Sequence, residues 1–215
     1  MENNVDFKQL QHIYIDNNYY LIEPYLNFRS KFFGELSKKI REACKCTLLN
    51  ANIALITLTN HILERLLKLA LIKYDILQKD ISGNEWNTAY TEADKAYSGL
   101  MLNDTINRCQ TRGIITKDHK KFLQDKIRIQ LRNGFSHAET DKILKDQEGK
   151  NITVYEKCSK TATGLSPIIL NTKTYPELQS VSTHTFANDV ALYYFDFVYQ
   201  LIHHIELNLL ALKKN

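Results

Sequence analysis

Turn punctuation is scarce in this chain: seven glycines and three prolines are spread over 215 residues. A fold of many short strands needs Gly- and Pro-rich turns at frequent intervals, so the shortage predicts long uninterrupted elements, and therefore helices. A chain of this length buries a sizeable core without dividing in two. Its 44% hydrophobic and 24% charged residues are the mix of a globular protein, not a disordered one.

Apolar spacing divides the chain into elements. The first 28 residues carry Phe7, Tyr14, Tyr19, Tyr20, Tyr25 and Phe28, a pattern for a short helix and a packed arm. Phe32, Phe33, Leu36 and Ile40 keep helical spacing between lysines across 28–46. A longer helix is predicted from Leu48 to Leu77, with Leu55, Leu58, Ile62, Leu66 and Leu69 on its stripe and Glu64–Lys68 as an i,i+4 pair. A loop at 80–84 leads to a third helix, Trp86 to Cys109, with Gly113 at or just past its end. Thr116 is the candidate N-cap of a fourth, whose Phe122, Leu123, Ile127, Leu131 and Phe135 share one face before an exit at Ala138-Glu139-Thr140-Asp141. Then Ile152-Thr153-Val154-Tyr155 alternates, with Pro167-Ile168-Ile169-Leu170 as its candidate partner. The last helix, Thr185 to Leu212, is apolar on most sides, which places it at the centre of a bundle or in a subunit interface. The expected fold is all-α: a helical bundle with a small β-hairpin or loop insertion near 146–175. Residues 1–47 form an arm and helix packed on a domain of 48–215, in one globular unit.

Several function classes fall away. Cys44-Lys45-Cys46 has one residue between its thiols, and neither Cys109 nor Cys158 completes a zinc-type pair, so all four are read as reduced thiols. Met1-Glu2-Asn3-Asn4 lacks the charged-then-apolar opening of a signal peptide. No stretch reaches the roughly 18 unbroken apolar residues of a membrane span. The expected location is the cytoplasm. A net charge of +4 is too small to announce a nucleic-acid partner. Between Lys117 and Arg132, however, six basic residues face two acidic ones, and this window holds the whole net charge. Such a run is ordinarily a solvated helix face.

The segment Arg132-Asn133-Gly134-Phe135-Ser136-His137 carries chemistry. A guanidinium is a permanently charged fork suited to phosphate oxygens, and imidazole moves protons near neutral pH. Together they are the least equipment that breaks a phosphodiester without a metal, Arg132 neutralising the phosphorane and His137 serving as base or acid. On an ideal helix positions five apart diverge by about 140°, so convergence needs a broken helix end or a second copy of the motif.

The string Leu131-Arg132-Asn133-Gly134-Phe135-Ser136-His137-Ala138 resembles the signature of the HEPN superfamily (higher eukaryotes and prokaryotes nucleotide-binding domains). That signature is Arg, four to six residues, then His, often with a polar residue directly after the Arg, near a helix end of an all-α bundle. The polar-studded Asn60-His61-Ile62-Leu63-Glu64-Arg65-Leu66-Leu67-Lys68 resembles the long helix that precedes it, and the likeness spans about 48–212. The resemblance implies a metal-independent endoribonuclease of toxin or phage-defence type, needing no cofactor. Its homodimer joins two motifs in one cleft and leaves 2′,3′-cyclic phosphate and 5′-hydroxyl ends. It implies Arg132 as phosphate clamp, His137 as acid/base and Asn133 as positioning residue, RNA as partner, and an antitoxin or regulatory protein as a further partner. Lys126 and Arg128 are candidate RNA-backbone contacts by position. A toxin branch neutralised by a nucleotidyltransferase continues His-x-Tyr; here Ala138-Glu139 follows His137, which argues against that control.

Two readings compete. One is a catalytically silent HEPN-like scaffold that binds RNA, a nucleotide or a protein. The other is a metal site using His61-x-x-Glu64 and His203-x-x-Glu206, but that order reverses the Glu-x-x-His of di-iron bundles and lacks their further glutamates. His12, His119 and His184 show no partner pattern and are assigned ordinary structural or surface positions.

Overall fold

Two helices whose sequences lack a continuous polar face supply the core. In the computed structural model, which describes residues 7–83, 85–136, 139–157 and 165–213, these are α3 (Asn52–Leu77) and α9 (Pro176–Leu212), packed along one another. From α3, Leu55, Ile62, Leu66 and Leu67 are fully buried; from α9, Ala187, Ala191, Val198, Ile202, Ile205 and Leu209 are. Each large aliphatic side chain so buried stabilises the fold by roughly 1.5–3 kcal/mol. The all-α class follows, with one small antiparallel sheet among the described residues.

The N-terminal helix is longer than its sequence pattern suggests: α1 runs Phe7–Ile22. It ends in a turn that buries Tyr25 edge-on to Phe195 and Tyr199, with ring centroids 4.8 and 4.9 Å away, and the Tyr25 hydroxyl donates to Asp196. Residues 30–32 are held off the helix by Glu206 of α9, whose Oε1 accepts from Ser30 Oγ, the Lys31 amide and the Phe32 amide. For that reason α2 begins only at Ser37 (Ser37–Leu48), although Phe33, Leu36 and Ile40 are buried as their spacing predicts.

The expected third helix is two, α4 (Glu85–Tyr97) and α5 (Leu102–Thr111). Gly99 weakens helix continuation between them, Met101 is extended, and the freed Ser98 carbonyl accepts from Lys68 Nζ at 2.6 Å. Gly113 closes α5 with φ +71°: Gly113 N–H donates to Gln110 and Ile114 N–H to Cys109, the paired bonds of a left-handed helix stop. Thr116 caps α6 (Lys117–Phe122), its hydroxyl accepting the His119 amide at 3.1 Å.

Further along the chain, α8 (Thr140–Ile143) precedes strands β1 (Asn151–Lys157) and β2 (Leu165–Asn171). The two segments expected to pair do so, antiparallel, with Ile152 opposite Leu170 and Tyr155 opposite Pro167. α9 starts nine residues before the expected Thr185. Pro176 presets its first turn and Glu177 complements the helix dipole, but 176–184 carries no apolar stripe from which a period could be read. Cys44, Cys46 and Cys109 are free thiols; burial pushes Cys44 up to about 11 and Cys109 up to about 12, which keeps both protonated and unreactive. Cys158 lies outside the described residues. No described helix is long and apolar enough to cross a membrane.

Candidate functional site

After α6 the chain does not continue as an α-helix. Leu123–Asn133 is π-helical, and a short α7 (Gly134–Ser136) follows. Bonding from i to i+5 widens the turn, so side chains four and five apart come to share a face. Leu123, Ile127 and Leu131, each four apart, form the buried row. A π-helix of this length needs outside support, and α3 and α9 provide it. Asn60 of α3, 3% exposed, donates from Nδ2 to the Leu131 carbonyl at 3.3 Å and accepts from the Tyr194 hydroxyl of α9 at 2.8 Å. Burial first, and then the charge of Glu64, raises the Tyr194 pKa well above 10, so Tyr194 stays a donor.

One turn along the same face of α3, Glu64 Oε1 accepts from Arg132 Nε at 2.9 Å, a half-buried ion pair. Asn60 and Glu64, four residues apart, thus address consecutive residues of the site helix. The expected Glu64–Lys68 pair does not form, because each partner is engaged elsewhere. Arg132 Nη1 donates to Asn133 Oδ1 at 3.2 Å.

Gly134 lies at helical φ −57°, so its value is space, not left-handed freedom. A Cβ there would stand 2.6 Å from Ile143 Cγ1 and 3.3 Å from the Ile143 amide nitrogen. The glycine lets α8 lie against the site helix, and the Glu139 amide donates to the Gly134 carbonyl at 2.9 Å.

Arg128, Arg132 and Asn133 line one polar cavity of about 330 Å³, together with Met101, Leu102, Asn103, Glu139 and Lys142. Lys126 does not join them. It pairs with Asp146 at 2.6 Å and borders an apolar groove on another side of the π-helix, with Phe122, Ile127, Phe186, Val190 and Phe197. His137 lies outside the described residues. Sequence reasoning named Asn60 only as part of a polar-studded segment, passed over Tyr194 and gave Glu64 another partner; their signal is polarity on the buried face of an otherwise apolar helix.

His119 is not without a partner: its ring stands edge-on to His204, centroids 4.6 Å apart, and His119 Nδ1 and His204 Nε2 are buried without a hydrogen-bond partner among the described residues. Of the residues considered as metal ligands, Glu64 serves Arg132 and Glu206 serves the 30–32 loop. Among the described residues no group of three or more His, Cys, Asp or Glu side chains is arranged to hold a metal. Comparison of the chain with family models, with curated proteins and with solved structures finds no match in any of the three.

Proposed function

We propose that this protein is a metal-independent endoribonuclease of the HEPN type, acting in a toxin or phage-defence role through a site composed at a homodimer interface. The observation that carries the reading is the joint placement of Arg132 and Asn133 in one polar cavity, with Arg132 fixed by Glu64 rather than left to wander. A clamp for a phosphorane must be pre-positioned to lower a barrier, and an anchored guanidinium meets that need.

In this mechanism an imidazole of His137 takes the proton of a ribose 2′-hydroxyl, and the 2′-oxygen attacks phosphorus. The bond to the 5′-oxygen breaks, and that oxygen takes a proton from the second His137 of the dimer. The products are a 2′,3′-cyclic phosphate and a 5′-hydroxyl, with Arg132 neutralising the non-bridging oxygens throughout. Apolar surface beside the same helix, including Tyr193 at 80% exposure and Phe122, is the kind that a second subunit covers.

The test is cleavage of varied RNAs by the purified protein in EDTA, beside Arg132→Ala and His137→Ala. Cutting that both substitutions abolish, with cyclic-phosphate ends, supports the proposal, as does a dimer in light scattering. An inert wild type, or variants that cut equally well, would move the reading to a scaffold that binds RNA, a nucleotide or a protein without cutting.

A further inference from the structure

The cavity beside Arg132 holds a second guanidinium, that of Arg128. Arg128 lines it with Nε buried, and among the described residues no acceptor meets that nitrogen. Two permanently charged guanidinium groups lining one cavity place positive charge where a phosphate oxygen can meet it. The rest of the lining suits an anion. Lys142 and Glu139 form an i,i+3 ion pair at the cavity, so together they add no net charge to its lining. Asn103 spends its Oδ1 on Gln124 Nε2 at 3.0 Å, which leaves its amide as a donor. The neighbouring end of α5 has no side-chain cap at Met101.

From these groups we infer that the cavity seats a second phosphate of the RNA strand, next to the one cut at Arg132, with Arg128 as its principal ligand and Asn103 completing the contact. The inference rests on the reading of Arg132 as the clamp for the scissile phosphate. It adds a subsite, and with it a substrate class: a strand carrying at least two consecutive phosphodiesters, not a dinucleotide with a single one.

The test separates binding from cutting. A fluorescent 2′-deoxy oligonucleotide, which the proposed chemistry cannot cleave, is titrated by anisotropy at several salt concentrations. It is offered to wild type, Arg128→Gln, Arg128→Lys and Lys121→Gln; Lys121 is an exposed α6 lysine that does not line the cavity. The expected result is a loss of about tenfold or more in affinity for Arg128→Gln, with a salt slope shallower by about one. Arg128→Lys should recover the slope but only part of the affinity, and Lys121→Gln should lose much less. Circular dichroism melts of all four check folding. Arg128→Gln binding like wild type, or losing no more than Lys121→Gln, would overturn the subsite. Competition by 5′-AMP at micromolar concentration would overturn it in favour of a free-nucleotide site. If the strand binds through Arg128 but no RNA is cut, the nuclease reading fails and the phosphate pocket stands. If RNA is cut through Arg132 and His137 while Arg128→Gln binds and cuts normally, only this inference fails.

Discussion

Glu64 and Arg132, 68 residues apart, meet at 2.9 Å through the guanidinium Nε, while Nη1 of the same guanidinium donates to Asn133 Oδ1. A partly exposed ion pair of this kind adds little to stability, about 1 kcal/mol or less. Its value is geometric.

Glu64→Gln should therefore melt close to wild type yet cut RNA about 100-fold more slowly, the usual scale for a misplaced catalytic group. Single-turnover cleavage measures this. On an Arg132→Ala background the same substitution should change nothing further, because its effect passes through Arg132.

Gly134→Ala places a methyl against Ile143. Overpacking there outweighs the helix propensity gained, for a net destabilisation of roughly 1–2 kcal/mol. Denaturant titration should also show Ile143→Ala costing less on the Gly134→Ala background than on wild type, since the shorter side chain makes room for the new methyl.

Tyr194→Phe removes the donor to Asn60 inside the core. An unsatisfied buried acceptor costs about 1–3 kcal/mol, which should lower the urea midpoint while the slope is kept. Because Asn60 also holds the Leu131 carbonyl, hydrogen exchange should speed up in 123–136 more than in α2.

His119 is held below its ordinary 6.5 by burial first and by His204 second, with Asp118 opposing. The fold favours the neutral ring, so its contribution to stability is complete above about pH 6.5 and is lost as pH falls through the lowered folded value. Urea unfolding between about pH 7 and pH 5 should fall more steeply for wild type than for His119→Gln. Equal slopes would remove the His119–His204 pair from the account.

Most of the helical plan was legible in the chain. Thr116 and Gly113 mark element ends by local chemistry, and Leu55, Ile62 and Leu66 mark a face by period, and neither signal depends on distant contacts. What escaped reading depends on partners remote in sequence. The break at Ser98–Met101 is stabilised by Lys68, the late start of α2 by Glu206, and the π-helical run at the site is tied by Asn60. The early start of α9 was hidden for the opposite reason, because an exposed helix has no apolar period to show. At the site, Arg132 and Asn133 announce themselves by type and spacing, whereas Glu64, Asn60 and the Arg128 cavity exist only once α3, α5 and α8 are assembled around them.

The tie from Tyr194 through Asn60 to Leu131 spans 134 residues at its longer step. A ribosome delivers α3 and the site helix well before it delivers α9, and N-terminal segments start to fold as they emerge. Until α9 arrives, the apolar flank of α3 has no partner and the Leu131 carbonyl is only half anchored. Vectorial synthesis thus orders events so that Arg132 is aimed last, and a chain interrupted before α9 would carry the motif without the frame that directs it.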